Sequence, residues 1–166
     1  MKSHPILDPS YDFSQYCRVD LSVTNPELGD ALKDAQSCQS FLDGILRRNQ
    51  KEIAFGGYLE HRGLYDGFRH FNANPSEKRE YHLGLDLWAP AGTSVHTPWA
   101  GRLHSWANRE IPGDYGPLVI LEHEIQGETL YSLFGHLSTA TLEGLYPGKV
   151  FHAGERFGFL GNPREN

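Results

Sequence analysis

The chain has 166 residues, of which 39% are hydrophobic and 12% aromatic, enough apolar material for the core of a single soluble domain. Its formal net charge is −6, whereas nucleic acids and anionic membranes are bound by basic protein faces. We therefore expect no nucleic-acid partner and no membrane partner. Residues 1–8 carry one lysine and no apolar run, and no segment is long enough to span a bilayer. These features predict a cytoplasmic protein without a signal peptide.

The N-terminal part of the chain is predicted to be helical, with helices mostly within residues 25–52. Asn25 and Pro26 form a cap and first-turn pair that indicates the start of a short helix. A second helix is indicated by apolar residues that recur at helical spacing, with two arginines near its end, where they favour the helix dipole. These apolar residues are Cys38, Phe41, Leu42, Ile45 and Leu46. Cys17 and Cys38 match no Cys-x-x-Cys metal spacing and are predicted to be reduced thiols.

Residues 53–70 are rich in glycine and aromatic residues without a clean period, and we predict irregular structure for them. Within this segment, Glu60 and Arg62 are interpreted as ordinary surface charges. Residues 71–78 are predicted to be a polar linker or loop. The predicted organisation is an N-terminal helical and irregular extension over residues 1–78, packed on a domain formed by residues 79–166.

After residue 78 the sequence consists of short alternating runs separated by turn sequences, a pattern that predicts an antiparallel β-sheet over residues 79–162. Residues 81–93 are the most informative run. In an extended strand, His82, Gly84 and Asp86 fall on one face, and three leucines fall on the other, which we expect to face a core. These leucines are Leu83, Leu85 and Leu87.

An imidazole nitrogen and a carboxylate oxygen are both ordinary zinc ligands. Four extended residues span roughly 13 Å, too far for His82 and Asp86 to share one ion. The strand must therefore bend between them, and Gly84 is the position where a bulge costs least. An isolated His-x-x-x-Asp pattern is weak evidence for a metal site by itself.

The series of motifs from residue 79 to residue 162 resembles the M23 family of zinc metallopeptidases, the LytM or lysostaphin type. His82, Gly84 and Asp86 resemble the family's His-x-Gly-x-Asp signature. Later segments resemble its Tyr-Gly-x-x-Val and Tyr-x-His-Leu-Ser elements, with Phe134 in place of the tyrosine, and its closing Gly-Asn turn. These are residues 115–119, 133–138 and 161–162.

This resemblance implies a β-rich, α+β fold with the antiparallel sheet of the M23 duplicated-hybrid type. It implies that His82 and Asp86 bind Zn²⁺ and that His136 is a catalytic histidine that stabilises rather than binds the ion. The implied reaction is hydrolysis of peptide bonds, with peptide or peptidoglycan-like cross-links as the substrate. His123, which closes an aliphatic strand, is predicted to be structural, while His96, His104 and His152 are predicted to be solvated.

The sequence departs from the family pattern in one respect, because it contains no His-x-His motif to supply the third zinc ligand. We expect a domain that is incomplete before this motif, with weak zinc binding and negligible peptidase activity. The missing strand is expected to leave a sheet edge near His82 that is covered by an N-terminal segment or by a second copy of the chain in a homodimer.

Two other functions are compatible with the sequence. The first is a non-catalytic M23-like binding or regulatory module, although the retention of His82, Asp86 and His136 counts against it. The second is a histidine phosphocarrier of the glucose-specific IIA type, which would use His123 and His136 without a metal. The phosphocarrier hypothesis assigns no function to Asp86.

Overall fold

The structure is a computed structural model that describes residues 3–63, 80–111 and 113–165. It forms two compact units, one made of Asp12–Ala89 and the other of Met1–Tyr11 with Pro90–Asn166. Most of the regular elements in the described residues are β-strands, accompanied by one α-helix, which confirms the predicted β-rich fold class. The predicted linker at residues 71–78 lies outside the described residues, and the boundary predicted at residue 78 stays a prediction. In the described ranges, no helix is long and apolar enough to cross a membrane.

Helix α1, Ala35–Asn49, confirms the second predicted helix. It begins at Asp34, whose carboxylate accepts a hydrogen bond from the Ser37 N–H at 2.7 Å, and it ends at Gln50 in the left-handed conformation. Its apolar face packs in the core of the Asp12–Ala89 unit. The buried residues of this core are Val19, Leu21, Leu42, Ile45 and Ala54.

The helix predicted to begin at Asn25 and Pro26 is wrong, because residues 25–34 form turns. A cap-like bond does form, from the Glu27 N–H to Asn25 Oδ1 at 3.0 Å. The chain then enters the left-handed region at Gly29, with φ +47°, and no helix can propagate through that residue.

In the described part of the Asp12–Ala89 unit, residues 12–63 and 80–89, five strands accompany the helix. They are β1 (Tyr16–Arg18), β2 (Ile53–Gly56), β3 (Glu60–His61), β4 (Tyr81–His82) and β5 (Asp86–Trp88). One sheet has the order β1-β2-β5, in which β1 is parallel and β5 antiparallel to β2, and β3 pairs with β4 in an antiparallel ladder. The irregular structure predicted for residues 53–70 is therefore wrong over residues 53–63, since this part supplies β2 and β3, while residues 64–70 lie outside the described residues.

The alternation predicted over residues 81–88 is interrupted between β4 and β5. The chain bends there, as predicted, but the bend removes the leucines from a common face. Leu83 and Leu85 are 68% and 56% exposed, so the expectation that they face a core is wrong. Period-2 alternation assigns faces only where a strand is continuous.

The second unit contains the remaining described strands, and their four pairings are antiparallel. They are β6 (Ser94–His96), β7 (Gly101–Arg109), β8 (Gly116–Ile125), β9 (Glu128–Phe134), β10 (Val150–Phe151) and β11 (Arg156–Phe159). One sheet has the order β10-β7-β8-β9, and β11 pairs with β6. Strands β8 and β9 are joined by Gln126 and Gly127, which are both at positive φ, as a two-residue type I′ hairpin turn requires.

The N-terminal residues of this unit lie along β6. The His96 N–H donates to the Ile6 carbonyl at 2.7 Å, and the His4 N–H donates to the Pro98 carbonyl at 2.9 Å. Leu7, 2% exposed, forms a β-bridge with Val95, which belongs to the buried cluster of this unit. The cluster also contains Leu103, Val119, Leu121, Leu137, Phe151 and Phe157.

Candidate metal centre

His82 ends β4 and Asp86 begins β5, and the bend between the two strands brings their side chains together. The distance from His82 Nε2 to Asp86 Oδ1 is 3.5 Å. A Cβ atom placed on Gly84 would lie 3.0 Å from His82 Nε2, tighter than ordinary packing allows. Glycine at this position therefore keeps the space beside the imidazole nitrogen open.

The tautomer of the neutral His82 ring follows from the contact of its other nitrogen, Nδ1. Nδ1 lies 2.9 Å from the Gly57 carbonyl oxygen, which can only accept a hydrogen bond, so Nδ1 carries the proton. In the neutral ring, Nε2 then presents a lone pair toward Asp86. A carbonyl or carboxylate on the far nitrogen is the usual partner of a metal-binding histidine, because it fixes the tautomer and the ring orientation.

Asp86 is held in a similar way by one of its two oxygens. Arg62 Nη2 donates to Asp86 Oδ2 at 2.6 Å, and Oδ1 is the oxygen that faces His82. His82 Nε2 and Asp86 Oδ1 are thus 3.5 Å apart, a separation longer than the ~2.7–2.9 Å of a charge-assisted hydrogen bond. Two donor atoms at zinc bond lengths in a tetrahedral arrangement are about 3.4 Å apart. The pair therefore fits a shared cation.

Two side-chain atoms, His82 Nε2 and Asp86 Oδ1, are available as ligands at this position. Among residues 3–63, 80–111 and 113–165 there is no group of three or more His, Cys, Asp or Glu side chains placed to hold a metal ion. The His82 and Asp86 side chains are 18% and 29% exposed, so solvent reaches the point between them. Water can occupy the remaining coordination positions of an ion bound there.

Arg62 and Glu60 are not the surface charges predicted from the sequence. Their side chains are 6% and 9% exposed, and Arg62 Nε donates to Glu60 Oε2 at 2.6 Å. Burial lowers the pKa of the Arg62 guanidinium, but Asp86 and Glu60 outweigh that effect and raise it. The sequence signal for this pair is opposite charges two residues apart, which share one face only if residues 60–62 are extended.

His136 belongs to the unit that contains Pro90–Asn166. It follows β9, has a positive φ of 55°, and lies with its ring centroid 6.3 Å from that of Tyr115. Its N–H donates to the Tyr115 carbonyl at 2.7 Å, and its carbonyl accepts from the Gly161 N–H at 3.0 Å. These backbone bonds hold the residue in its left-handed conformation. Its predicted catalytic role stays a prediction.

The side chains of two other histidines make polar contacts within the same unit. His123 is 1% exposed, its Nδ1 lies 3.0 Å from the Ala100 carbonyl, and its ring meets Trp99 edge-on, in agreement with a structural role. His96, predicted to be solvated, is half-buried, with Nε2 2.9 Å from Ser94 Oγ and Nδ1 2.9 Å from the Gly154 carbonyl. The prediction for His96 is therefore wrong, while His104 and His152 are exposed as predicted.

Residues 80–166, just over half of the chain, match peptidase family M23. The chain belongs to peptidase family M23. This confirms the resemblance carried by the motifs. A solved structure of Helicobacter pylori Csd3 is also similar, with 25% sequence identity and a TM-score of 0.41 over 53% of this chain. The similarity covers 22% of the Csd3 chain, so this chain corresponds to about a fifth of that protein. No curated protein matches the chain.

Proposed function

We propose that this M23 domain is a zinc-dependent endopeptidase domain in which His82 and Asp86 bind the ion. The observation that carries the proposal is the convergence of His82 Nε2 and Asp86 Oδ1 at 3.5 Å, each held by a partner on its other atom. Family membership supports peptide-bond hydrolysis as the reaction class. The substrates we propose are peptide links between small residues, such as those of peptidoglycan cross-bridges.

When bound, zinc supplies a Lewis acid that polarises a peptide carbonyl and acidifies water. The chain's own residues prepare the position for it. The Gly57 carbonyl keeps the proton on His82 Nδ1, and Arg62 turns one Asp86 oxygen away from the ion position. We assign to His136 the role of a hydrogen-bond donor to the oxygen that gains negative charge during hydrolysis.

Zinc titration by calorimetry tests the proposed ligands. The wild-type chain should bind zinc weakly, because two protein donors leave most positions to water, and His82→Ala and Asp86→Ala should lose this binding. The matched control is His61→Ala, one residue from Glu60 on the same strand. Its ring stacks on Tyr81 on the other face of the β3–β4 ladder. Equal binding by wild type and His82→Ala would mean that the ion binds elsewhere.

Peptidase activity requires a separate assay, since the 166 residues contain no His-x-His motif. The chain should hydrolyse a glycine-rich peptide or isolated peptidoglycan at a negligible rate, and a version carrying an added His-x-His segment should be faster. The His82→Ala change in the extended version should abolish the gain. If the short and extended versions cleave at the same rate, the two-donor account of the site is wrong.

Self-association remains a further proposal. Strand β5 is at one end of the order β1-β2-β5 among the described strands, and Leu85 next to it is 56% exposed. We propose that a second copy of the chain pairs along this edge to form a homodimer. Sedimentation equilibrium of wild type and Leu85→Lys would test it, with a monomeric wild type as the contradicting result.

A further inference from the structure

We propose that Arg62 and Glu60 act as positioning residues that hold Asp86 as a one-oxygen metal ligand. The inference rests on the proposed function, because it concerns how the Asp86 ligand is oriented. Neither residue contacts the ion position in this proposal. Their effect passes through the carboxylate of Asp86.

The β3–β4 pairing places these residues on the same face as the first proposed ligand. Glu60 is directly opposite His82 in the antiparallel ladder. Arg62 follows two residues later and continues the pairing, with its N–H donating to the Glu80 carbonyl at 2.8 Å. Residues two apart on an extended strand share a face, so Glu60, Arg62 and His82 point to one side.

Hydrogen bonds connect Asp86 to the backbone near the core through these two side chains. Glu60 Oε1 accepts from the Leu21 N–H at 3.0 Å, and its Oε2 accepts from Arg62 Nε at 2.6 Å. Arg62 Nη2 then donates to Asp86 Oδ2 at 2.6 Å. Arg62 and Glu60 are 6% and 9% exposed, whereas Asp86 is 29% exposed. The two buried side chains, Arg62 and Glu60, thus hold the partly exposed carboxylate of Asp86.

The planar guanidinium is the feature that makes this arrangement directional. Its N–H groups point in fixed directions, so one can bind Glu60 while another binds Asp86, and a lysine ammonium cannot reproduce that fork. Because Oδ2 accepts the hydrogen bond from Arg62, Oδ1 is the oxygen that faces an ion beside His82. Arg62 with Glu60 and Asp86 has a net charge of −1, so the cluster retains an attraction for a cation.

The backbone at Gly57 is shaped around the same cluster. A Cβ atom at this glycine would lie 2.3 Å from Arg62 Nη2, 2.7 Å from His82 Nδ1 and 3.0 Å from Asp86 Oδ2. Three polar side chains therefore approach one backbone position closely. This close approach lets the Gly57 carbonyl bind His82 while Arg62 binds Asp86.

Zinc chloride titration of Arg62 variants tests the inference. Arg62→Gln should weaken zinc binding about 10- to 100-fold, the usual effect of removing an outer partner of a metal ligand, and Arg62→Lys should weaken it less. The matched control is Arg102→Gln, because Arg102 pairs with Glu122 but its side chain is 60% exposed. Arg102→Gln should bind zinc like wild type.

A second readout separates positioning from stability. Visible absorption of bound Co²⁺ reports coordination geometry, and it should change in Arg62→Lys although the far-UV circular dichroism does not. If Arg62→Gln fails to fold, the double variant Arg62→Met with Glu60→Leu removes both buried charges together and should fold. Its zinc affinity should still be reduced.

The outcomes distinguish this inference from the proposed function. The inference would be overturned if Arg62→Gln and the double variant bound zinc as well as the wild type while His82→Ala lost binding. The proposed function would then still stand. Absence of zinc binding in wild type would overturn both.

Discussion

Gly57→Ala is the single change that most directly tests how tightly the candidate metal centre is packed. Gly57 has φ +95°, a region that L-residues rarely adopt, and its added methyl group would overlap Arg62 Nη2 at 2.3 Å. The methyl group would also lie 2.7 Å from His82 Nδ1. Alanine therefore strains the backbone and separates the side chains that meet at this residue.

The expected loss of stability has two parts. The strained φ costs an alanine about 1–2 kcal/mol. Displacing Arg62 breaks its charge-assisted bond to Asp86 and leaves a buried charge less well paired, which costs about 1.5–3 kcal/mol. We expect Gly57→Ala to lower the free energy of unfolding of the Asp12–Ala89 unit by about 2.5–5 kcal/mol in total.

The assay must report on one unit, because two compact units need not unfold together. The chain has three tryptophans, and changing Trp99 and Trp106 to phenylalanine leaves Trp88, on β5, as the fluorescent probe. Urea unfolding followed by Trp88 would then measure the Asp12–Ala89 unit.

Gly29→Ala is the matched control for this experiment. Gly29 is in the same unit, also has a positive φ of +47°, and has open space where a Cβ would be. The decrease in unfolding free energy caused by Gly29→Ala should reflect backbone strain alone, about 1–2 kcal/mol. If Gly57→Ala is no more destabilising than Gly29→Ala, the side chains around Gly57 move aside freely and our reasoning about this cluster is wrong.

Two further predictions concern the core and the helix start. Leu121→Ala should lower the free energy of unfolding by about 2–5 kcal/mol, since this side chain is 0% exposed. Leu130→Ala, on the neighbouring strand and 44% exposed, should lower it far less. Urea unfolding of the two variants checks this prediction. The backbone hydrogen bond from Ser37 lowers the pKa of Asp34. The stability that the ionised Asp34 cap adds to the fold is therefore complete above the ordinary pKa of 3.8, and it is lost as the pH falls through the lower pKa of the folded state. Asp34→Ser caps without titrating, so between pH 5 and roughly pH 2 its urea midpoint should fall less than that of wild type, and equal falls would contradict the assignment.

The elements that the sequence predicts well are those specified by local chemistry. Helix α1 has an apolar stripe and two arginines in its last turn, and the aspartate that caps it immediately precedes it in the chain. The β8–β9 hairpin is specified by Gln126 and Gly127 between two alternating runs. In both cases the decisive interactions join residues that are close in sequence, so a local pattern is sufficient.

The elements that the sequence does not predict depend on partners that are distant in the chain. Strands β2 and β3 are short and lie next to glycines. They are recognisable only by their pairing with β5 and β4, at least 20 residues later in the chain. Arg62 is interpreted as a surface residue because a charged side chain is usually exposed. Its burial requires Glu60 and Asp86 together, which only the folded chain brings into contact.

The geometry of the proposed ligand pair depends on residues that precede the family match. The match begins at residue 80, but the carbonyl that fixes the His82 tautomer comes from Gly57, and the guanidinium that orients Asp86 comes from Arg62. Each ligand strand is also paired with a strand from this earlier segment, β4 with β3 and β5 with β2. A chain that begins at residue 79 would retain both ligand side chains and lose the groups that orient them. Residues 53–62 are therefore part of the candidate site, although the motifs that identify the family lie outside them.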